Sequence, residues 1–500
     1  MVSLNLYGIA FVIKLINQWC SICNKKQIIS YIILCSEEYF EKEQVIEKMI
    51  YENEVTPKNI PQITVSKKGC EESIANVPFP TPFHIGLHYA APARGTWTIA
   101  HSPMLIPELH EIYVCCACCL HGVVLSSEEI PNGGADRFSM VTVSNENIIH
   151  GDLEDMMIDG VAEIINGMEK KPKCVECFTS CIQHFLNIDV KLVYRKLNEM
   201  FPDIDFIDGY MIPTLQRKFT PDVLGRRQLT RAIQELPKKD KTVNIMGNYY
   251  PVDPDSELWD VFKKGGYTVQ DFCSCKKYED YKALGEAQAN LYFLTAARNA
   301  VKDLERRIGQ EPVYIPYTYS YKKLRENYAL LSSKFDIPEP DYNDLEMQCE
   351  KAMSELKGLI GDTAIAIDYA ATPNLLSLTR YLLEHSFNVH VIYADAFLKE
   401  EEEDFKWLQE NHPRLLVRPT IHYKMRLLPR DESEKLGGML TIGQKSTYFT
   451  GSDHFVNLIE NSGLYGYRGI LKLSALMEDA YKASKSVPDI IQVKAWGCKA

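Results

Sequence analysis

Positive charge is scarce in this chain. Its 55 Lys and Arg are outnumbered by 67 Asp and Glu, leaving a formal charge of −12 over 500 residues. Binding to nucleic acid needs clustered Lys and Arg to neutralise phosphates, and neither a basic stripe nor an RNA-binding motif is present, so that class of partner is excluded. Long apolar runs are missing too. Only LYGIAFVIKLI near the start approaches one, but Lys14 interrupts it and it falls short of the roughly 20 residues a membrane helix needs. No small-residue cleavage site follows it, so neither a membrane nor a secretory route is expected and the chain reads as cytoplasmic. There is no tandem repeat, which excludes a solenoid. No GxGxxG follows the first strand of any α/β unit, which leaves a standard dinucleotide fold unsupported. The run GMLTIGQKS (Gly438 to Ser446) imitates a phosphate-binding loop, but Gln444 separates its second Gly from Lys445 and no apolar strand is expected before it.

Cysteine, in contrast, is plentiful. Fifteen thiols at irregular spacing and odd count do not form a disulfide framework; without a secretory signal they point to metal binding or catalysis in a reducing compartment. The densest group is VCCACCLHG, Val114 to Gly122, with Cys115, Cys116, Cys118 and Cys119 between a polar, Pro-broken segment (HSPMLIPELHE) and the apolar GVVL. A second group, Cys174, Cys177 and Cys181, follows after about 55 residues, enough chain for a crossover connection. The expectation is that the two groups meet and hold a metal centre. Two CxxC spacings (Cys115 with Cys118 or Cys116 with Cys119, and Cys174 with Cys177) permit a four-thiolate zinc site. Thiols bordering the strands of a large α/β domain suit an iron–sulfur cluster better, and burial as small hydrophobes is the third possibility. The pairs Cys20/Cys23 and Cys273/Cys275 read as incidental. Seven of the twelve histidines (His84, His88, His101, His110, His121, His150 and His184) lie in the same part of the chain; His101, His121 and His184 are candidate proton donors.

With 46% hydrophobic and 24% charged residues the chain is an ordinary globular one, and its length predicts several cores. Residues 1–58 read as an N-terminal appendage with a polar helix. Residues 59–238 read as the first α/β domain, with strand-like WTIAHSP, LHGVVLSS, RFSMVTVSN and CVECFTSC. Before the last of these, Leu153, Met156, Met157, Val161, Ile164 and Ile165 repeat at helical intervals. A second α/β domain, 239–358, opens on the strand TVNIMGNY, continues through the helix DSELWDVFKKGG and the strand YTVQDF, and is expected to be helical from Glu279 to Ile308. The third, 359–500, alternates TAIAIDYAA, NLLSLTRYLLEHSF, NVHVIYAD, EEEEDFKWLQENH and RLLVRPT. A helix–turn–helix over 323–358 joins the last two. The predicted fold class is thus α/β, three Rossmann-like domains with parallel sheets flanked by helices.

Several separate stretches resemble one family, the component 1 proteins of nitrogenase and nitrogenase-like oxidoreductases. WTIAHSPM resembles its early strand and turn, and HGDLEDMMIDGVAEII followed by PKCVECFTSC resembles the helix and strand that end in a cluster-ligating cysteine, here Cys181. TVNIMGNY resembles the strand opening its second domain, and ENSGLYGYRGILKLSALMEDA the segment closing its third. The resemblance implies a 4Fe-4S-type iron–sulfur cluster at a subunit interface, held by Cys115, Cys119 and Cys181. It also implies an ATP-dependent iron protein as electron donor, a homo- or hetero-oligomer of component 1-type subunits, and a small-molecule substrate. Leu294 and Asn457 stand where the family's cofactor cysteine and histidine would be, so no iron–molybdenum-type cofactor is expected. A cluster-assembly scaffold of the same family and a zinc-stabilised binding protein are the other readings.

Overall fold

The computed structural model describes residues 70–79, 102–117, 134–210 and 220–490. Compact division of the chain gives one unit at 1–66 and another at 67–500, and everything below concerns the second. Its described residues form three sheets.

The first sheet takes β2 (Leu109–Cys116), β3 (Phe138–Val143), β4 (Cys174–Thr179) and β5 (Asp205–Tyr210) in the order β3-β2-β4-β5, all parallel. The helix predicted from its apolar period is present as α1 (Leu153–Gly167). It buries Leu153, Met157, Val161 and Ile165 against the sheet, with Met156 and Ile164 at the margin. Two further helices matter here: α2 (Cys181–Phe185), directly after β4, and α3 (Val190–Met200), whose Val193 and Leu197 complete that core. The strand β2 was not expected, because HSPMLIPELHE reads as polar loop. Its charged and polar residues His110 and Glu111 are buried within the sheet, which hides the strand signal. The predicted strands WTIAHSP (apart from Ser102 and Pro103, which begin a 3-10 turn) and LHGVVLSS lie outside the described residues.

The second sheet has the order β7-β6-β8-β9, again parallel: β6 (Thr242–Ile245), β7 (Thr268–Asp271), β8 (Ala289–Tyr292) and β9 (Glu311–Tyr314). A connecting helix α4 (Pro221–Gln228) leads into it, and α5 (Glu257–Lys264) follows β6, with Ser256 accepting from the Leu258 amide at its start. The single helix expected over Glu279 to Ile308 is not there. A short helix gives way to the fully buried strand β8, and only α6 (Arg298–Ile308) completes the span. ANLY is apolar enough for either state, and burial between β6 and β9 decides it.

The pair α7 (Tyr321–Phe335) and α8 (Tyr342–Ile360) forms the predicted helix–turn–helix. The third sheet then runs β1-β12-β11-β10-β13-β14, from β10 (Ala364–Asp368), β11 (Val389–Tyr393), β12 (Leu416–Arg418), β13 (Met439–Ile442) and β14 (Phe455–Val456). Between them stand α9 (Leu375–Glu384), α10 (Glu402–Asn411), α11 (Gln444–Thr450) and finally α12 (Gly466–Lys482). The edge strand β1 (Glu72–Ser73) pairs antiparallel with β12, so residues expected in the first domain join the third sheet.

The imitation phosphate loop is also resolved. Contrary to expectation, the buried strand β13 does lead into it, and Gly443 (φ +108°) turns the chain into α11. The cradle, however, is filled from within: the Ser446 amide donates to the buried Asp368 carboxylate at 2.7 Å, and a Cβ at Gly443 would collide with that carboxylate. No room remains for a phosphate. Gly443→Ala should therefore cost about 2 kcal/mol or more of stability, through its left-handed backbone and the collision together; urea unfolding measures it, and an unchanged midpoint would contradict this packing.

Candidate functional site

In a parallel sheet the ligand crevice lies beyond the carboxyl ends of the strands, where the order of connections reverses. In the first sheet that point falls between β2 and β4, since β2 is followed by β3 on one side and by β4 and β5 on the other. Of the described thiols, one from each group lies here. Cys116 is the last residue of β2 and Cys181 opens α2 after β4; each lies two residues beyond the register pair Val114–Thr179. The join is pinned by Gln183, whose side-chain amide donates to the Val114 carbonyl at 2.6 Å, and by Ser180, whose backbone amide donates to the same side chain at 3.0 Å.

Strand alternation separates the neighbours Cys115 and Cys116. Cys115 is buried on the face that carries Glu111 and Tyr113, while half-buried Cys116 packs at the margin of the α1 core with Cys177. Cys118 and Cys119 lie outside the described residues. Of the weaker candidates, Cys174 and Cys177 are both fully buried, three residues apart on β4 and hence on opposite faces, so they do not form one knuckle. Burial pushes both thiols well up from their ordinary range, Cys174 with Asp205 and Glu176 adding to it and Cys177 with Glu176 and Asp208. Among the described residues, no three His, Cys, Asp or Glu side chains form a group that could hold a metal ion, and none of the cysteines is in a disulfide.

Of the candidate proton donors, His184 sits on α2 three positions after Cys181, its ring edge-on to Tyr210 at 5.8 Å. His101 and His121 lie outside the described residues. His110 is buried on β2 with Nε2 2.7 Å from Ser139 Oγ, and burial plus the Arg137 charge lower its pKa to about 4, so it is neutral at physiological pH. Cys273 donates to the Asn248 carbonyl at 3.1 Å, a local contact.

Three features escaped the sequence reading. Glu111 and Glu176 face each other in register across β2 and β4, both buried; the Tyr113 hydroxyl lies beside Glu111, and among the described residues one oxygen of Glu176 lacks a hydrogen-bond partner. Burial first, then the charge of Glu176, raises Glu111 well above the carboxylate range; burial, then Asp208, raises Glu176 to about 8. The second feature is Arg226, fully buried at the crevice of the second sheet. It donates to the Gly247 carbonyl at the end of β6 and to Glu460 at 2.7 Å, holds Asp222 at 3.2 Å, and lies over the Tyr249 ring at 3.9 Å. The third is the Asp368 carboxylate, which fills the crevice of the third sheet between β10 and β13. Only the Asp222/Arg226 spacing, a helical i, i+4 pair, left a trace in the sequence.

Neither a scan against protein-family models nor a search of curated proteins gave a match. Among solved structures, the chain is similar to nitrogenase Cp1 at pH 6.5, with a TM-score of 0.59 and 13% identity over 81% of this chain and 95% of that one. Nitrogenase Cp1 at pH 5 gives a TM-score of 0.54 and 12% identity over 88% and 97%. The fold is nitrogenase component 1-like. Sheets of parallel strands flanked by helices are what the α/β alternation predicted, apart from the antiparallel edge strand β1, and the match spans nearly the full length of both solved chains. At this identity the likeness is one of fold. No helix among the described residues is long and apolar enough to cross a membrane.

The acid pair makes the stability of the first sheet depend on pH. Between pH 4.5 and about 8 Glu176 keeps its proton in the folded chain and loses it in the unfolded one. Stability should therefore fall as pH rises through that window. Glu176→Gln should make the fall shallower in chemical denaturation across pH; equal slopes for both proteins would contradict the assignment.

Proposed function

We propose that this chain is an oxidoreductase subunit of the nitrogenase component 1 type, with an iron–sulfur cluster, 4Fe-4S in kind, at the carboxyl edge of its first sheet. Thiolates from the CCACC group and Cys181 would hold it. When bound, such a cluster accepts and passes single electrons. Those electrons would come from an ATP-dependent iron protein in the cytoplasm and serve to reduce a small molecule, with the cluster shared at an interface between component 1-type subunits.

The observation that carries this reading is positional. Cys116 and Cys181 flank the crevice of the first sheet, whereas the equivalent crevices of the second and third sheets are filled by Arg226 and Asp368. The donor set also suits soft, thiolate-bound iron. For the chain's own residues, Gln183 would hold the Cys181 turn against β2, and His184 stands close by in sequence as a candidate proton donor.

The same filled crevices favour a second reading, an assembly scaffold of this fold. A side chain seated where a substrate could lie leaves a cluster to be carried and passed on. The two part in one assay: a reductase subunit consumes electrons from the iron protein with ATP, and a scaffold surrenders its cluster to an apo-acceptor.

Anaerobic purification followed by iron, sulfide and zinc analysis tests the proposal. Iron with acid-labile sulfide is expected, and zinc without sulfide would overturn it. Cys181→Ala and Cys119→Ala should each abolish the cluster's visible absorption. Because alternation turns Cys115 and Cys116 to opposite faces, only one of Cys115→Ala and Cys116→Ala should do the same.

A further inference from the structure

The chain contains 28 tyrosines, and a run of them crosses the helical layer beside the third sheet. Tyr381 on α9 and Tyr321 at the start of α7 have ring centroids 5.8 Å apart and hydroxyls 2.9 Å apart. Tyr321 is 5.6 Å from Tyr467 on α12, Tyr467 is 6.2 Å from Tyr342 on α8, and Tyr342 is 6.5 Å from Tyr328 on α7. The series continues inward through Tyr465, 6.4 Å from Tyr328, to Tyr317, 5.9 Å further on. Tyr317 is buried among Glu460, Asp271 and Cys273 at the crevice of the second sheet. At the other end Tyr321 and Tyr381 line an open cavity of about 340 Å³, together with Glu350, Arg380 and His385.

Packing alone would be served as well by Phe or Leu, without polar atoms to satisfy. Here the hydroxyls meet proton acceptors. Tyr328 donates to Glu257 at 2.8 Å, Tyr342 to Glu339 at 2.5 Å and Tyr467 to Glu346 at 3.0 Å, and Tyr321 and Tyr381 share one hydrogen bond. A phenol is hard to oxidise unless its proton can leave with its electron, and a hydrogen-bonded carboxylate takes that proton without any atom travelling far. Electron tunnelling falls off exponentially with distance, and these rings are in or near contact.

We propose that the series from Tyr328 through Tyr342, Tyr467 and Tyr321 to Tyr381 is a hopping path for single oxidising equivalents, running from the buried Tyr328 to the surface cavity. The oxidant is a peroxide-derived one-electron oxidant. It gains one electron; Tyr328 loses that electron, and its phenolic proton passes to the bonded Glu257. Tyr342 and then Tyr467 each supply an electron to the radical before them, their protons passing to Glu339 and Glu346 while the carboxylate behind returns its own, and the radical moves outward; at Tyr321 and Tyr381, whose hydroxyls bond each other and no carboxylate, the proton leaves to solvent through the open cavity. At the cavity a soluble one-electron reductant such as ascorbate restores Tyr381 with one electron and one proton. The path draws oxidising equivalents out of the interior, and it needs no cluster.

The path can be driven inward from the surface, which allows a direct test. With 3-aminotyrosine, an easily oxidised trap, placed at position 328 of the full chain, a photogenerated ruthenium(III) complex oxidises the exposed end. Electron paramagnetic resonance should then show the aminotyrosyl radical at position 328. Tyr467→Phe keeps the ring but removes the transferable proton, so in that background the radical should be lost while the melting temperature is held. If Tyr467→Phe does not fold, Tyr342→Phe serves as the second interruption. No aminotyrosyl signal in the uninterrupted chain, or an undiminished one in a folded interrupted chain, overturns the proposal.

Discussion

The in-register pairing of β2 with β4 is the constraint from which the rest follows. From Leu109–Cys174 through Val114–Thr179 the two strands are locked residue to residue. This leaves no freedom in where the thiol-bearing segments leave the sheet. It brings Cys116 and Cys181 to the same edge although 65 residues separate them in the chain. The lock has a cost, since the same register sets Glu111 opposite Glu176 in the interior, where two negative charges cannot both persist. Keeping a proton on the pair resolves the conflict and makes the stability of this sheet fall as pH rises.

Each of the three sheets reverses its winding once, and each reversal opens a crevice at the carboxyl ends of its central strands. The chain treats them differently. In the third sheet a carboxylate from β10 caps the helix that a phosphate would otherwise approach. In the second, a guanidinium is locked between Gly247, Asp222 and Glu460. A buried charge of this kind is held only by full pairing, and removing any partner would strand the others. The loop that carries Glu460 adds strain of its own, with Glu460, Asn461 and Ser462 all at positive φ, held by backbone bonds to Ala370 and Ala371. Among the described residues, Cys116 and Cys181 flank the first crevice, while Cys273 beside the second donates to the Asn248 carbonyl.

Much of this was legible beforehand. The alternation around TAIAIDYAA and NVHVIYAD is strong because buried parallel strands are nearly all apolar and the helices between them carry their charge on one face. The helix over 153–167 was equally plain. What failed did so for identifiable reasons. The strand β2 carries His110 and Glu111 inside, and a buried charge in a strand reads as loop until its cross-strand partner is known. The strand β8 is only four residues long and uncharged, and its one polar residue, Asn290, does not distinguish it from the helices on either side. The thiols were visible as a group, but strand alternation, which divides Cys115 from Cys116, depends on knowing that they end a strand. Arg226, Asp368 and Glu176 owe their roles to contacts between distant segments that no local pattern carries.

The central claim is that the thiols at the edge of the first sheet hold iron and sulfide. X-ray absorption at the iron edge of the anaerobically isolated protein addresses it most directly. The account predicts sulfur as the nearest shell of scatterers and iron as the next, the signature of a cluster bound by thiolates. A spectrum with nitrogen or oxygen neighbours and no iron–iron scattering, or a preparation in which zinc alone is found at the thiols, would contradict it.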